Sequence, residues 1–426
     1  MTSFTYCRSS ASPPTPPAAS ARLPDMQELL AFLQDPELVA RFQRRCGLYL
    51  AEGLIRDHGK TRPANGAPIT GEKTLGHMDG SWDHQDGNFN YRYKQDSVPV
   101  EDCRKPRYEV RNWLLHYLFL LSAGLGHEVF YITCLPWIHW NLDPFLCRRL
   151  VNMWTIVMYI GQVMKDLLKL PRPPSPPVVK LETRVDAEYG LPSTHAMAAT
   201  AISFTLLLSA PSRVQFCFQI GLLIAATTSS LVSLSRLYTG MHSVLDVVCG
   251  VLITAVLILL TYPYWESFDS FQLTSPLSPI IALSLLLFLS YTYPELDYYS
   301  TTRGDTTTIL GVCAGCSVGY WVNAQLGHTF EPQGLLPVPL PTLTALSVAR
   351  SAGRSLVGVA TLVGTRQIVK KLSLDLLYSW YNVLKTDPNA RRRKEIEVPS
   401  KFVTYTAVGL VNSILVNRLF VLLGLL

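Results

Sequence analysis

The stretch VQFCFQIGLLIAATTSSLVSLS, residues 214–235, contains no ionised side chain. As a helix it is long enough to cross the roughly 30 Å hydrocarbon layer of a membrane. Residues 272–294 and 306–327 are equally free of charge. Shorter apolar runs occupy 112–127 (continuing past Glu128 to 140), 150–164, 196–210, 247–264 and 402–417. A weaker run at 343–364 is interrupted by Arg350 and Arg354. None alternates with period two, and open strands would leave backbone groups unsatisfied in lipid. The expected fold is all-α, a polytopic membrane helical bundle of about eight or nine transmembrane helices.

Composition agrees with that reading. The 426-residue chain is 48% hydrophobic and 16% charged, where an ordinary soluble domain carries about 25% charged residues. Residues 1–111 hold 29 of the 68 charged side chains, so the rest of the chain is poorer still. This excludes an ordinary soluble domain, and equally a disordered chain, for most of the length. The net charge of +6 is small and scattered, so nucleic acid is not an expected partner. Nine dispersed cysteines define no disulfide framework. Cys313-x-x-Cys316 lies inside an apolar run without a second ligand pair, which reads as helix packing, not a metal site.

Three regions follow: an N-terminal tail at 1–111, a catalytic membrane core at 112–263 and C-terminal membrane helices at 264–426. Met1–Arg22 has no apolar h-region, so the first membrane helix is expected to direct insertion. Residues 1–21 read as disordered. Met26, Leu29, Leu30 and Leu33, then Leu38, Val39 and Phe42 beyond Pro36, form a broken amphipathic pattern ending at Arg44-Arg45. It suits a helix lying on the membrane or on the protein's own surface, and equally a solvated helix without a fixed partner. The Gly, Asp, Asn and Pro content of 53–106 suggests a loose linker.

The chemistry is carried by KDLLKLPRP at 165–173, PSTH at 192–195 and SRLYTGMHSVLD at 235–246. Singly, each has a bland reading: a snorkelling lysine, a capping histidine, an interfacial arginine. Together they gather three cations and two histidines, one with an aspartate four residues on. Two apolar runs separate His195 from Arg236, and the Pro-rich connection 171–191 is too polar to cross. All three segments therefore meet on one side of the membrane.

Lys165, Arg172 and Arg236 supply charge-assisted donors suited to a phosphate, the arginines as planar forks. Ser193 and the backbone N–H groups of Thr194 and His195, at a helix start, add neutral donors. His242 and Asp246, four apart, are expected to share a helix face, the carboxylate orienting the imidazole as a nucleophile. His195 is then free to protonate the leaving oxygen and later to activate water. No carboxylate cluster suited to a divalent ion accompanies these residues, so no metal or other cofactor is expected. The predicted reaction is phosphomonoester hydrolysis through a phosphohistidine.

These segments resemble the tripartite signature of the type-2 phosphatidate phosphatase (lipid phosphatase) superfamily. Within it the chain is similar to the sphingosine-1-phosphate phosphatase family. The similarity runs through FQRRCGLYL (42–50), GHEVFYITCLPWIHWNLDP (126–144), MYIGQVMKDLLKLPRP (158–173), PPVVKLE (176–182), YGLPSTHAMAATAI (189–202), SRLYTGMHSVLDVV (235–248) and RRRKEIEVP (391–399). The resemblance implies a type-2 phosphatidate phosphatase core whose phosphate is bound by Lys165, Arg172, Ser193 and Arg236. It also implies His195 as general acid, His242 as nucleophile and Asp246 as its partner. The implied substrate is a phosphorylated sphingoid lipid, with membrane lipids as surroundings, in the endoplasmic reticulum with the site facing the lumen. One departure is Thr194, where the broader superfamily usually has glycine; its amide can still donate, but its side chain narrows the approach.

The loop 295–305 should return to the catalytic side, where Asp297 or Asp305 could recognise the sphingoid ammonium; Glu188, near His195, competes for that role. Arg148, Arg149 and Arg213 fall on the opposite side, in keeping with positive-inside. If only 112–140 and 150–164 precede the catalytic loop, the tail lies on the same face as the site. Its basic amphipathic segment suits the cytosol instead, which, with a luminal site, would need a re-entrant or split span near 124–126. The sequence names no protein partner. Alternatives are a broad-specificity lipid phosphate phosphatase, and a transporter or scaffold that binds phosphate without turnover.

Overall fold

The computed structural model describes residues 26–51, 108–182, 188–332, 334–340, 344–385, 387 and 389–425. The disorder expected at 1–21 and the linker expected at 53–106 lie outside the described residues. Asp35 and Pro36 break the first amphipathic segment into α1 (Met26–Gln34) and α2 (Pro36–Arg45), the Asp35 carboxylate accepting from Glu37 N at 2.9 Å. α2 buries Val39, Ala40 and Gln43, so the solvated alternative fails for it; it lies on the protein's own surface. β1 (Leu48–Leu50) pairs antiparallel with β2 (Tyr108–Val110), which leads into the membrane body.

That body is helical throughout. α3 (Trp113–Leu125) and α4 (Glu128–Asn141) together are long and apolar enough for one span, bent by 65° at the break around Gly126. α5 (Pro144–Leu168), α6 (Thr194–Ser209), α7 (Phe218–Tyr238) and α8 (Val244–Thr261) complete the middle third. α9 (Trp265–Thr274) continues from α8 through a 3-10 turn, and α10 (Ser278–Tyr291) runs back. α11 (Thr302–Gln325), α12 (Ala345–Trp380), α13 (Lys394–Leu410) and α14 (Val416–Leu422) follow, the last two joined by a π-turn. A short parallel pair joins β3 (Val214–Gln215) to β4 (Val338–Pro339). Phe218–Tyr238, Val244–Thr274 and Lys394–Leu422 are each long and apolar enough to cross a membrane alone, and the bent α3–α4 pair makes a fourth.

The apolar faces meet in a core built from Leu146, Leu150, Trp154, Ile309, Cys313 and Cys316, among others, which joins α5 to α11. Cys313 and Cys316 are thus packing residues, as their context implied. The arginines that weaken the run at 343–364 do not break α12. Arg354 donates to the carbonyls of Leu425 at 2.7 Å and Trp140 at 3.1 Å, spending its charge on helix ends.

The two ends of the bundle differ in chemistry. At one end Arg148 and Arg149 both reach Asp269 (3.2 and 2.6 Å), and Arg213 reaches Asp143 (2.5 Å) and Glu331 (2.8 Å). These arginines are paired with Asp269, Asp143 and Glu331, so they bind elements together at this end. The other end holds residues 169–182, 188–193 and 239–243. α2 docks there as well: Gln43 Nε2 donates to the carbonyls of Val179 (2.7 Å) and Tyr238 (2.9 Å), and Val179 N donates to Gln43 Oε1 (2.9 Å). α3 starts at this end, with His116 Nδ1 2.9 Å from Tyr238 OH, and α4 finishes at the opposite end beside Tyr320. The bend near Gly126 therefore splits one pass without adding another. The described part of the tail docks at the end that carries the catalytic loops, which favours the arrangement with tail and site on one face over the one with a cytosolic tail and a luminal site.

Candidate active site

α5 delivers Lys165 at its C-terminal turn, and the chain then leaves the helix through Lys169 in the left-handed region. Arg172 follows on the connecting loop. Its Nε donates to Glu188 O at 2.8 Å and its Nη1 to Met241 O at 3.0 Å, tying the first motif to the segment before the second and to the third. Gly240, at φ +72°, lets the third loop turn against the first; a Cβ there would fall 2.1 Å from Val179 O.

Two helix N-termini converge on this loop. Ser193 stands at the N-cap of α6, yet its side chain makes no capping bond. Its N–H donates to Asp246 O at 3.0 Å, linking α6 to α8. The Ser193 hydroxyl is fully buried and has no hydrogen-bond partner. Such a group is costly unless something else binds it. Thr194 also makes a contact that the sequence did not indicate: its Oγ1 accepts from Lys165 Nζ at 3.1 Å, so the residue holds the lysine.

His242 and Asp246 do not share a helix face. α8 begins at Val244, with Ser243 as N-cap, and His242 lies in the turn before it. Asp246 Oδ2 accepts from Ser243 N at 2.7 Å and Ser243 Oγ accepts from Asp246 N at 3.2 Å, a reciprocal capping box. The same Oδ2 lies 3.5 Å from His242 Nδ1, which has no hydrogen-bond partner. The carboxylate is thus placed next to the imidazole by the cap, and His242 is only 1% exposed. Burial, then the charges of Arg172, Lys165 and Arg236, hold the His242 imidazole well below its ordinary pKa. It is therefore neutral near pH 7, the form that can act as a nucleophile. His195, half-buried in the first turn of α6, lies within electrostatic reach of Arg236, Lys165, His242 and Arg172.

Arg236, almost wholly buried, donates from Nη2 to Glu182 Oε1 at 2.7 Å and to Thr239 Oγ1 at 3.2 Å; its Nε has no partner. Glu188 Oε2 lies 3.6 Å from Lys165 Nζ and 3.5 Å from Arg172 Nη2. All eight motif residues named from the sequence, Lys165, Arg172, Ser193, Thr194, His195, Arg236, His242 and Asp246, thus gather at one end of the bundle, with Glu188 among them.

Asp297 and Asp305 stand apart from that cluster. Asp305 lies 3.8 Å from Lys401 of α13. Asp297 is exposed and lines a cleft of about 390 Å³ with Arg303, Arg392 and Arg393. The loop does return to the catalytic end: Tyr293 OH and Thr302 Oγ1 each donate to Asp166 Oδ2 at 2.7 Å, beside Lys165. Residues 391–394 fall there too, Lys394 pairing with Glu295 and Arg392 lying over Tyr299. Sequence reading missed Glu182, Asp166, Tyr293 and Gln43. Asp166 carried the one usable signal, a carboxylate inside the first motif.

Residues 147–269 match the PAP2 superfamily. The chain is 51% identical to sphingosine-1-phosphate phosphatase 2 of Homo sapiens over 94% of its own length and all of the human protein. It is 36% identical to sphingosine-1-phosphate phosphatase 1 of Mus musculus, covering 93% of this chain and 98% of that one. A dihydrosphingosine 1-phosphate phosphatase of Schizosaccharomyces pombe is 32% identical over 52% of this chain and 56% of its own. No solved structure matches the chain significantly. Fold and site define a polytopic helical membrane phosphatase, a phosphoric monoester hydrolase acting on lipid phosphates. The chain belongs to the sphingosine-1-phosphate phosphatase family within the PAP2 superfamily.

Proposed function

We propose that the protein hydrolyses sphingosine 1-phosphate and related sphingoid base phosphates, without a metal ion, through a phosphohistidine on His242. The observation that carries this reading is a pair of buried polar atoms left without partners among the described residues, Ser193 Oγ and Arg236 Nε, in the cluster that also holds the His242 imidazole. A neutral donor and a cation without protein partners, in one cluster with a buried imidazole, together suit a tetrahedral anion.

Lys165, Arg172, Ser193, the Thr194 amide and Arg236 hold the phosphoryl group and stabilise the charge that develops on it. His242 Nε2 attacks phosphorus, and the bond to the lipid oxygen breaks. His195 gives its proton to that oxygen, and the sphingoid base leaves. Water then attacks the phosphohistidine, His195 takes its proton, and inorganic phosphate departs with His242 restored. The Asp246 carboxylate, 3.5 Å from Nδ1, favours the imidazole orientation and the transient positive charge. Of the three carboxylates expected from the sequence to meet the sphingoid ammonium, Glu188 lies at the phosphate cluster, whereas Asp297 and Asp305 lie apart from it. The family resemblance supports residence in the endoplasmic reticulum membrane with the site facing the lumen.

The test is release of labelled phosphate by purified full-length protein in EDTA, from sphingosine 1-phosphate, phosphatidate and glucose 6-phosphate. The wild type is expected to favour the first and, on alkaline quench, to retain label on histidine. His242→Ala should lose at least about a thousandfold in kcat and trap no label. Persistent turnover by His242→Ala would exclude the mechanism; indifference among the substrates would leave a broad-specificity phosphatase.

A further inference from the structure

We propose that Glu182 receives the ammonium group of the substrate and makes the site selective for phosphomonoesters that carry a neighbouring amine. The inference rests on the reading above, that the substrate is a sphingoid base phosphate. In such a lipid the phosphate ester and the ammonium sit on adjacent carbons. A carboxylate that reads the ammonium must therefore border the phosphate-binding cations directly.

Glu182 meets that condition. Its Oε1 lies 2.7 Å from Arg236 Nη2, and its side chain keeps 34% of its surface accessible while that of Arg236 keeps 2%. The guanidinium uses Nη2 for Glu182 and Thr239, whereas its buried Nε has no partner. Phosphate and carboxylate can thus occupy different edges of one planar cation, which is what the forked geometry of arginine allows. Glu182 need not be displaced when phosphate binds, and the ammonium on the adjacent carbon arrives beside a carboxylate already in place.

The other carboxylates fit less well. Glu188 lies between Lys165 (3.6 Å) and Arg172 (3.5 Å), so two cations share its charge, and 20% of its side chain is accessible. Asp305 pairs with Lys401. Asp297 shares its cleft with Arg303, Arg392 and Arg393, a surrounding that disfavours a cationic ligand. Among the described residues Glu182 forms its ion pair with Arg236, Arg172 acting on it only from further off, and it is the more open of the two glutamates at the phosphate cluster.

The experiment compares kcat/KM for sphingosine 1-phosphate with that for a straight-chain alkyl monophosphate lacking the amine, in mixed micelles of fixed composition. Losing a charge-assisted contact to the ammonium should lower the ratio of the two values about ten- to a hundredfold in Glu182→Gln. Glu182→Asp, which keeps the charge, should retain most of the preference. A ratio unchanged in Glu182→Gln overturns the proposal. So does an equal loss on both substrates, total loss included, because Glu182 would then serve only to position Arg236. A wild type without preference for the amine-bearing substrate would sink the sphingoid reading itself, before any variant is compared.

Discussion

Ser193 shows how a single residue separates function from stability. Its hydroxyl sits at the N-cap of α6, fully buried, with no hydrogen-bond partner among the described residues. A serine at an N-cap ordinarily contributes about 1 kcal/mol through its bond to the first turn. Here that contribution is forgone, and a desolvated donor is held ready for the phosphoryl oxygens. Ser193→Ala should therefore lower kcat/KM about tenfold, with no loss in the thermal unfolding temperature measured in detergent. A variant that unfolded earlier, with undiminished turnover, would show the hydroxyl to be structural. The neighbouring Asp246 cannot be separated in this way, because one oxygen both caps α8 and lies beside His242.

At the scale of elements, legibility followed the physics of each signal. Long charge-free runs announce helices because lipid tolerates little else, and two apolar runs between His195 and Arg236 fixed the parity that gathers the motifs. The placement of His242 on a helix face failed because spacing was read without the cap. S-V-L-D at 243–246 is itself a capping-box pattern and would have started α8 after the histidine. Glu182 escaped notice because a charged residue on a Pro-rich loop looks like solvation. Gln43 escaped for another reason: its bonds reach 136 and 195 residues along the chain, and such contacts leave no periodic trace. Yet Gln43 makes α2 a latch on the catalytic loops, pairing with two carbonyls and one N–H of the buried residues Val179 and Tyr238. Gln43→Leu should cost about 2 kcal/mol or more locally. It would appear as faster hydrogen exchange at Val179 and at residues 238–241, with α11 unchanged and turnover reduced. Equal protection in both proteins would remove the latch role.

For the whole molecule, the order of passes is a stronger statement than the number of spans. α3 and α4 make one bent pass, α5 returns, and α6, α7 and α8 carry the chain away, back and away again. α10 then brings Tyr293 to Asp166 and α11 departs from the same end. α12 must bring the chain back, because Arg303 of α11 bonds both the Arg392 carbonyl and Glu397 of α13. Pairing of β3 with β4 fixes residues 338–339 at the far end, where Arg213 meets Glu331. Residues 381–385 and 389–393, α2 and the catalytic loops should accordingly face one compartment, and residues 327–332 and 334–340 the other. The sequence contains no Asn-x-Ser/Thr site, so inserted glycosylation tags report without background. Tags near Ser10 and at Asp387 are expected to share one fate, and a tag at His328 the opposite fate. With a luminal site, the first two are modified and the third is not. Modification of the third alone would reverse the orientation and leave the pass order intact. Different fates for the first two would break the pass order itself, and with it the joining of the tail to the catalytic end through Gln43.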